Sequence, residues 1–143
     1  MVPHYQTTNS AIRAGKLNPA VFKVIREWGN TPFSYGKDCC QFAGAVVECV
    51  AGYNPMSTFN YANEDEAKAA IAAHGTLQDA VTAILGEPSQ PPYKTGDVTL
   101  QYTHNKLGNE QVVGVVVDGR SVVRTKTGIT DWPLDRAICV WSV

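Results

Sequence analysis

The sequence predicts an α+β domain in which N-terminal helices pack on a C-terminal antiparallel sheet, and three observations carry that expectation. Between residues 18 and 86, apolar side chains recur at helical spacing, bounded by capping residues and glycines. From Asp97 onward they gather in short β-branched runs separated by turn residues. Between the two halves, Glu-Pro-Ser-Gln-Pro-Pro-Tyr-Lys-Thr-Gly (residues 87–96) can sustain neither a helix nor a central strand, because proline removes a backbone donor and fixes φ.

Taken in order, residues 1–17 carry no clear period and read as an N-terminal arm, leaving residues 18–143 as a single domain. Asn18-Pro19 offers an N-cap with proline at the first helical position. Val21, Phe22, Ile25 and Trp28 then follow at helical spacing until Gly29, which predicts a helix over 19–28. Asp38, with Gln41 three residues on, forms a capping-box pattern at the head of a second helix that Gly52 ends. That segment is apolar nearly all round, as suits a helix at the centre of a domain. Asn63 with Glu66, and Thr76 with Asp79, cap two shorter helices ending at Gly75 and Gly86. Strands are expected at 97–102, 111–117, 121–125 and 137–141, with Asp118-Gly119 as a tight hairpin turn.

A chain of 143 residues with 44% apolar and 17% charged residues can bury a core and lies outside the composition of disordered chains. Twelve basic residues stand against thirteen acidic ones, scattered along the chain, so no nucleic-acid footprint is indicated. The first ten residues are polar, and no run approaches the roughly 18 apolar residues of a membrane span. The chain is therefore expected to stay in the compartment where it is made, with its four cysteines reduced. No cofactor and no metal are expected. Along a helix, Cys39 and Cys49 lie about 15 Å apart, too far to share an ion, and Cys40 with Cys139 would supply only two ligands.

Chemistry is suggested at one place, Asp38-Cys39. A helix N-terminus carries partial positive charge that favours thiolate over thiol, and nucleophilic cysteine enzymes use that placement with a base brought from elsewhere. Two readings of Cys39 follow, a nucleophile or a small apolar side chain heading a core helix. Among the histidines, His104 lies in the loop before the 111–117 strand and is the candidate base. His74 sits at a helix C-terminus, where the dipole alone accounts for it, and His4 lies in the arm.

Three segments, Gly36-Lys37-Asp38-Cys39-Cys40-Gln41-Phe42-Ala43, Gly96-Asp97-Val98 and Val112-Val113-Gly114-Val115, resemble a known family. They are similar to the Asp-Cys helix start, the Gly-Asp strand start and the His-Val-Gly-Ile strand of the NlpC-type cell-wall peptidases, a permuted papain-like fold. The resemblance spans roughly residues 30–125 and implies Cys39 as nucleophile. Aligned on Gly114, it places Val112 where the family carries its general-base histidine. Valine cannot take a proton, so the implied dyad is broken.

The whole pattern, from Trp28 through Gly52-Tyr53-Asn54-Pro55 to Pro133-Leu134-Asp135-Arg136-Ala137-Ile138-Cys139-Val140-Trp141, also resembles small proteins of phage and prophage tail modules. That resemblance implies a structural component of the virion's tail tip or baseplate, made in the host cytoplasm, with other tail proteins as partners and an NlpC-like fold kept as a pseudoenzyme. The alternative is an active peptidoglycan endopeptidase or amidase using Cys39, for which peptidoglycan is the partner. The arm at 1–17 and parts of the loops around Tyr53–Tyr61 and Pro88–Tyr93 are expected to order against neighbouring subunits, the alternative being that Tyr53, Phe59, Tyr61 and Tyr93 pack on their own domain.

Overall fold

The structure is a computed structural model describing residues 18–34, 38–59, 61–103 and 110–143. The predicted arm at 1–17, His4 and His104 lie outside the described residues.

Among the described residues four helices precede five strands, in the helices-then-sheet order that the periodicity predicts, with one strand more than the four expected. Helix α1 spans Pro19–Gly29, α2 Cys39–Ala51, α3 Glu64–Ala72 and α4 Leu77–Leu85. The strands are β1 Val98–Tyr102, β2 Gln111–Val117, β3 Arg120–Thr125, β4 Gly128–Pro133 and β5 Cys139–Trp141, with a short 3-10 turn at Leu134–Arg136. They form one antiparallel sheet in the order β4-β3-β2-β1-β5. Among the described residues, no helix is long and apolar enough to cross a membrane.

The caps read from the sequence do their work. Asn18 Oδ1 accepts from Val21 N at 3.2 Å, Asn63 Oδ1 from Glu66 N at 2.9 Å and Thr76 Oγ1 from Asp79 N at 3.1 Å, each satisfying a first-turn donor that has no intrahelical acceptor. At α2 the expected capping box is only half made. Asp38 Oδ1 accepts from Gln41 N at 3.2 Å, but the Gln41 carboxamide does not reach back. It donates instead to the carbonyls of Met56 (3.0 Å) and Phe59 (2.7 Å), tying the following loop to the helix. Gly52 closes α2 at φ 86°, a left-handed position that glycine takes at no steric cost. The third helix stops at Ala72, three residues short of the expected Gly75, with Ala73 as its cap.

Asp118 (φ 50°) and Gly119 (φ 75°) make the predicted hairpin turn between β2 and β3, the two positive φ values that a type I′ turn requires. Three strand expectations are corrected. Strand β4 was absent from the sequence reading. Its inward apolar content is little more than Ile129, and Pro133 ends it, a residue that the sheet tolerates because β4 lies on the edge. The last strand begins at Cys139 rather than 137, because the chain turns through Leu134–Arg136 before Ile138 N reaches Leu100 O at 2.7 Å. The first strand begins at Val98, with Asp97 serving the approach to it.

Alternation along the strands sorts the sheet faces. Val98, Leu100, Val113, Val115, Val117, Val122 and Ile129 face the helices and join Val21, Ile25, Phe42, Val46, Val47 and Val81 in the core. Trp141 on β5 is fully buried and its indole N–H donates to Thr82 Oγ1 at 3.3 Å, docking that short edge strand on α4. The loop aromatics divide. Phe59 and Tyr61 are buried in their own domain, edge to face with ring centroids 5.4 Å apart, which removes them from the expected contacts with neighbours. Tyr93 is half-buried and donates to Ser89 O at 3.2 Å, whereas Tyr53 stays exposed.

Asp97, in the Gly-Asp pair, is buried and collects three donors. Its carboxylate takes Lys94 Nζ (2.7 Å), Lys94 N (2.9 Å) and Val143 N (3.2 Å), clamping the connector and the chain end to the start of β1. That is a structural use of a carboxylate.

Candidate functional site

Helix α2 runs beneath the sheet and delivers its first turn to the edge of a cavity of about 690 Å³. Such a volume lies within the range of small-ligand pockets, about 300–1,000 Å³. Asp38, Cys39, Cys40 and Tyr61 line it on the helix side, Gln111 and Val112 from β2, and Arg124, Ile129 and Trp132 from β3 and β4. Cys39 is half-buried and occupies the first position of the helix, next to its N-cap. The expected helix beginning at Asp38-Cys39 is present, and Cys39 packs against the core at its head.

Around the thiol, the groups are tied to one another. Asp38 spends one carboxylate oxygen on the helix cap and accepts the Tyr61 phenol on the other. Burial, then the nearby Cys40, then the bond to Asp38 push the Tyr61 hydroxyl far above its ordinary value. Tyr61 therefore stays protonated and acts as a donor, not a base. Cys40 is 2% exposed, and its hydrogen bond with the Cys39 side chain, followed by burial, raises its thiol well above the ordinary range. A thiol so placed is a core side chain rather than a nucleophile.

Val112 lines the same cavity as Cys39 and is 9% exposed. By register it pairs with Gln101 and shares its face with Gly114 and Val116, opposite the helix-facing Val113. Among the described residues that line the cavity there is no histidine. His104, the candidate base, lies outside the described residues; Thr103, the residue before it, lines the cavity. His74 stands at the end of α3 on the surface. Cys39, Cys40, Cys49 and Cys139 are free thiols, and burial raises Cys139 as well. Among the described residues, no group of three or more His, Cys, Asp or Glu side chains converges as a metal site.

Two cavity residues were missed by the sequence reading. Arg124 had a signal. Alternation from Val122 turns it toward the helices, and an arginine on the inward face of an apolar strand marks a buried cation. Its Nη1 donates to the last-turn carbonyl of α1, Trp28 O, at 2.6 Å. Tyr61 had none, because its partner Asp38 lies across a loop whose path no local pattern specifies.

Comparison with curated proteins and with solved structures found no match. One family does match, over residues 12–143, which takes in every element described above. The chain belongs to the family described as the domain of unknown function DUF6950.

Proposed function

We propose that this chain is a structural component of a phage tail tip or baseplate, built on an NlpC-type peptidase fold that no longer catalyses. The observation that carries this reading is the pairing at the cavity: Cys39 heads the helix, and the β2 residue aligned with the family's general base, sharing that cavity, is Val112. A cysteine peptidase needs a group that accepts the thiol proton and returns it to the leaving amine. Valine does neither. Asp38 and Tyr61, the nearest polar pair, are committed to capping the helix and to each other. The tail-tip assignment rests on the whole-chain resemblance to phage tail-module proteins, and other tail proteins are the partners it implies.

The test is made on particles. Mass spectrometry of purified virions should find the chain in fixed proportion to a known tail protein, and particles carrying Cys39→Ala should contain as much of it and infect as well as wild type. Its absence from purified particles would refute the structural role.

A second reading is an active peptidoglycan endopeptidase or amidase with Cys39 as nucleophile and His104 as base. The cavity position of Thr103 favours it, because His104 is the next residue in the chain. Wall cleavage lost in both Cys39→Ala and His104→Ala would establish that reading.

A further inference from the structure

Arg124 carries a feature that neither the fold nor the thiol uses. The residue is 4% exposed and lines the cavity. One nitrogen, Nη1, is satisfied by Trp28 O, but Nε is buried with no hydrogen-bond partner. No carboxylate among the described residues pairs with the guanidinium. Asp131 is taken by Arg120 Nε at 2.8 Å, and Asp38 by Tyr61 and the α2 cap. Glu110 lines the same cavity without forming an ion pair with Arg124. A cation withdrawn from water without an anion is costly, and burial lowers its pKa from the ordinary value, which is the mark of that cost.

The surroundings indicate what would offset it. Lys126, two residues along, lines the same cavity with its ammonium 6.0 Å from the Phe33 ring centroid, adding a second positive charge. Ile71, Leu77 and Ile129 supply an apolar wall. We propose that the cavity binds an organic carboxylate, its acid group held at Arg124 with Lys126 beside it and its apolar body along Ile71, Leu77 and Ile129. A carboxylate suits the site better than a phosphate. One edge of the guanidinium is already spent on a carbonyl, and the apolar wall of Ile71, Leu77 and Ile129 suits a monoanion with an apolar body better than a dianion. The inference is independent of whether Cys39 reacts and so goes beyond the structural role proposed above.

Two sources share this chemistry, the free C-terminus of a short peptide and a medium-chain fatty acid, and the probes separate them. The reduced full-length chain is titrated by calorimetry with acetyl-Ala-Ala, its C-terminal amide, octanoate, octanamide and inorganic phosphate. One of the two acids should bind, with its own amide weaker by roughly tenfold or more, the ratio that about 1.4 kcal/mol represents. Arg124→Gln should remove that binding and Lys126→Gln should reduce it. If Arg124→Gln does not fold, the acid-against-amide comparison on wild type decides alone. Binding by acetyl-Ala-Ala identifies a peptide terminus, and binding by octanoate a fatty acid. The proposal is overturned if neither acid binds, if acid and amide bind alike, if phosphate binds as tightly as the better acid, or if a folded Arg124→Gln binds as wild type does.

Discussion

The Tyr61 phenol donates to the Asp38 carboxylate across a separation of 23 residues, and the other oxygen of that carboxylate caps the helix that presents Cys39. One acid thus joins the loop after α2 to the head of α2, and the position of the thiol depends on both bonds. Hydrogen bonds to charged groups contribute roughly 1.5–3 kcal/mol, and this one is buried. Tyr61→Phe should destabilise the chain by about that amount while leaving the core filled. Urea unfolding monitored by circular dichroism measures it, and a loss below about 0.5 kcal/mol would mean that the bond does not hold the helix head.

The same cluster sets the alkaline limit of the fold. An unfolded thiol titrates near 8.5 and a phenol near 10. In the native chain Cys40 is raised, by its bond with Cys39 and then by burial, and Tyr61 is raised by burial first. The native state therefore binds more protons than the unfolded state above about pH 8.5, and stability falls as pH rises. Their contribution is fully present below that pH and is lost progressively above it. Urea midpoints at about pH 7.5, 9 and 10, under reducing conditions, should decline in wild type and decline less in the double variant Cys40→Ala/Tyr61→Phe. Equal slopes in the two proteins would contradict this assignment.

Thr99 and Ser121 meet at 2.8 Å although their strands are not neighbours, since β2 runs between them. Gly114 makes the contact possible. A Cβ there would stand 2.7 Å from Thr99 Oγ1, 2.7 Å from Val123 Cγ2 and 2.8 Å from the Val122 carbonyl oxygen. The last is backbone and cannot swing aside. Gly114→Ala should cost about 1–3 kcal/mol by overpacking, visible as a lower urea midpoint at unchanged slope. Unaltered stability would mean that the strands can separate without cost.

What the sequence disclosed was chiefly what local chemistry dictates. Asn18, Asp38, Asn63 and Thr76 announce helix starts because short polar side chains accept first-turn amides, and Asp118-Gly119 announces a hairpin because both residues accept positive φ. Strand β4 escaped because Thr130, Asp131 and Trp132 alternate without an apolar stripe, and its place in the sheet comes from pairing with β3. The candidate thiol was legible as Asp38-Cys39 at a helix head. Of its surroundings only Val112 was named from the sequence, by resemblance; Tyr61 and Arg124 reach the cavity from separate elements and meet it only through tertiary packing. Arg124 was the exception within reach, for the period of two along Val122 and Arg124 turns a charge inward.

The measurement that bears most directly on the central claim is the release of soluble peptide fragments from purified peptidoglycan by the reduced, isolated chain, run beside Cys39→Ala. On the proposed likeness to the NlpC-type peptidases, which puts Val112 at the place of their general base, the account predicts that wild type releases no more than the Cys39→Ala variant. Release by wild type that vanishes in a folded Cys39→Ala protein would contradict it and make this chain an enzyme.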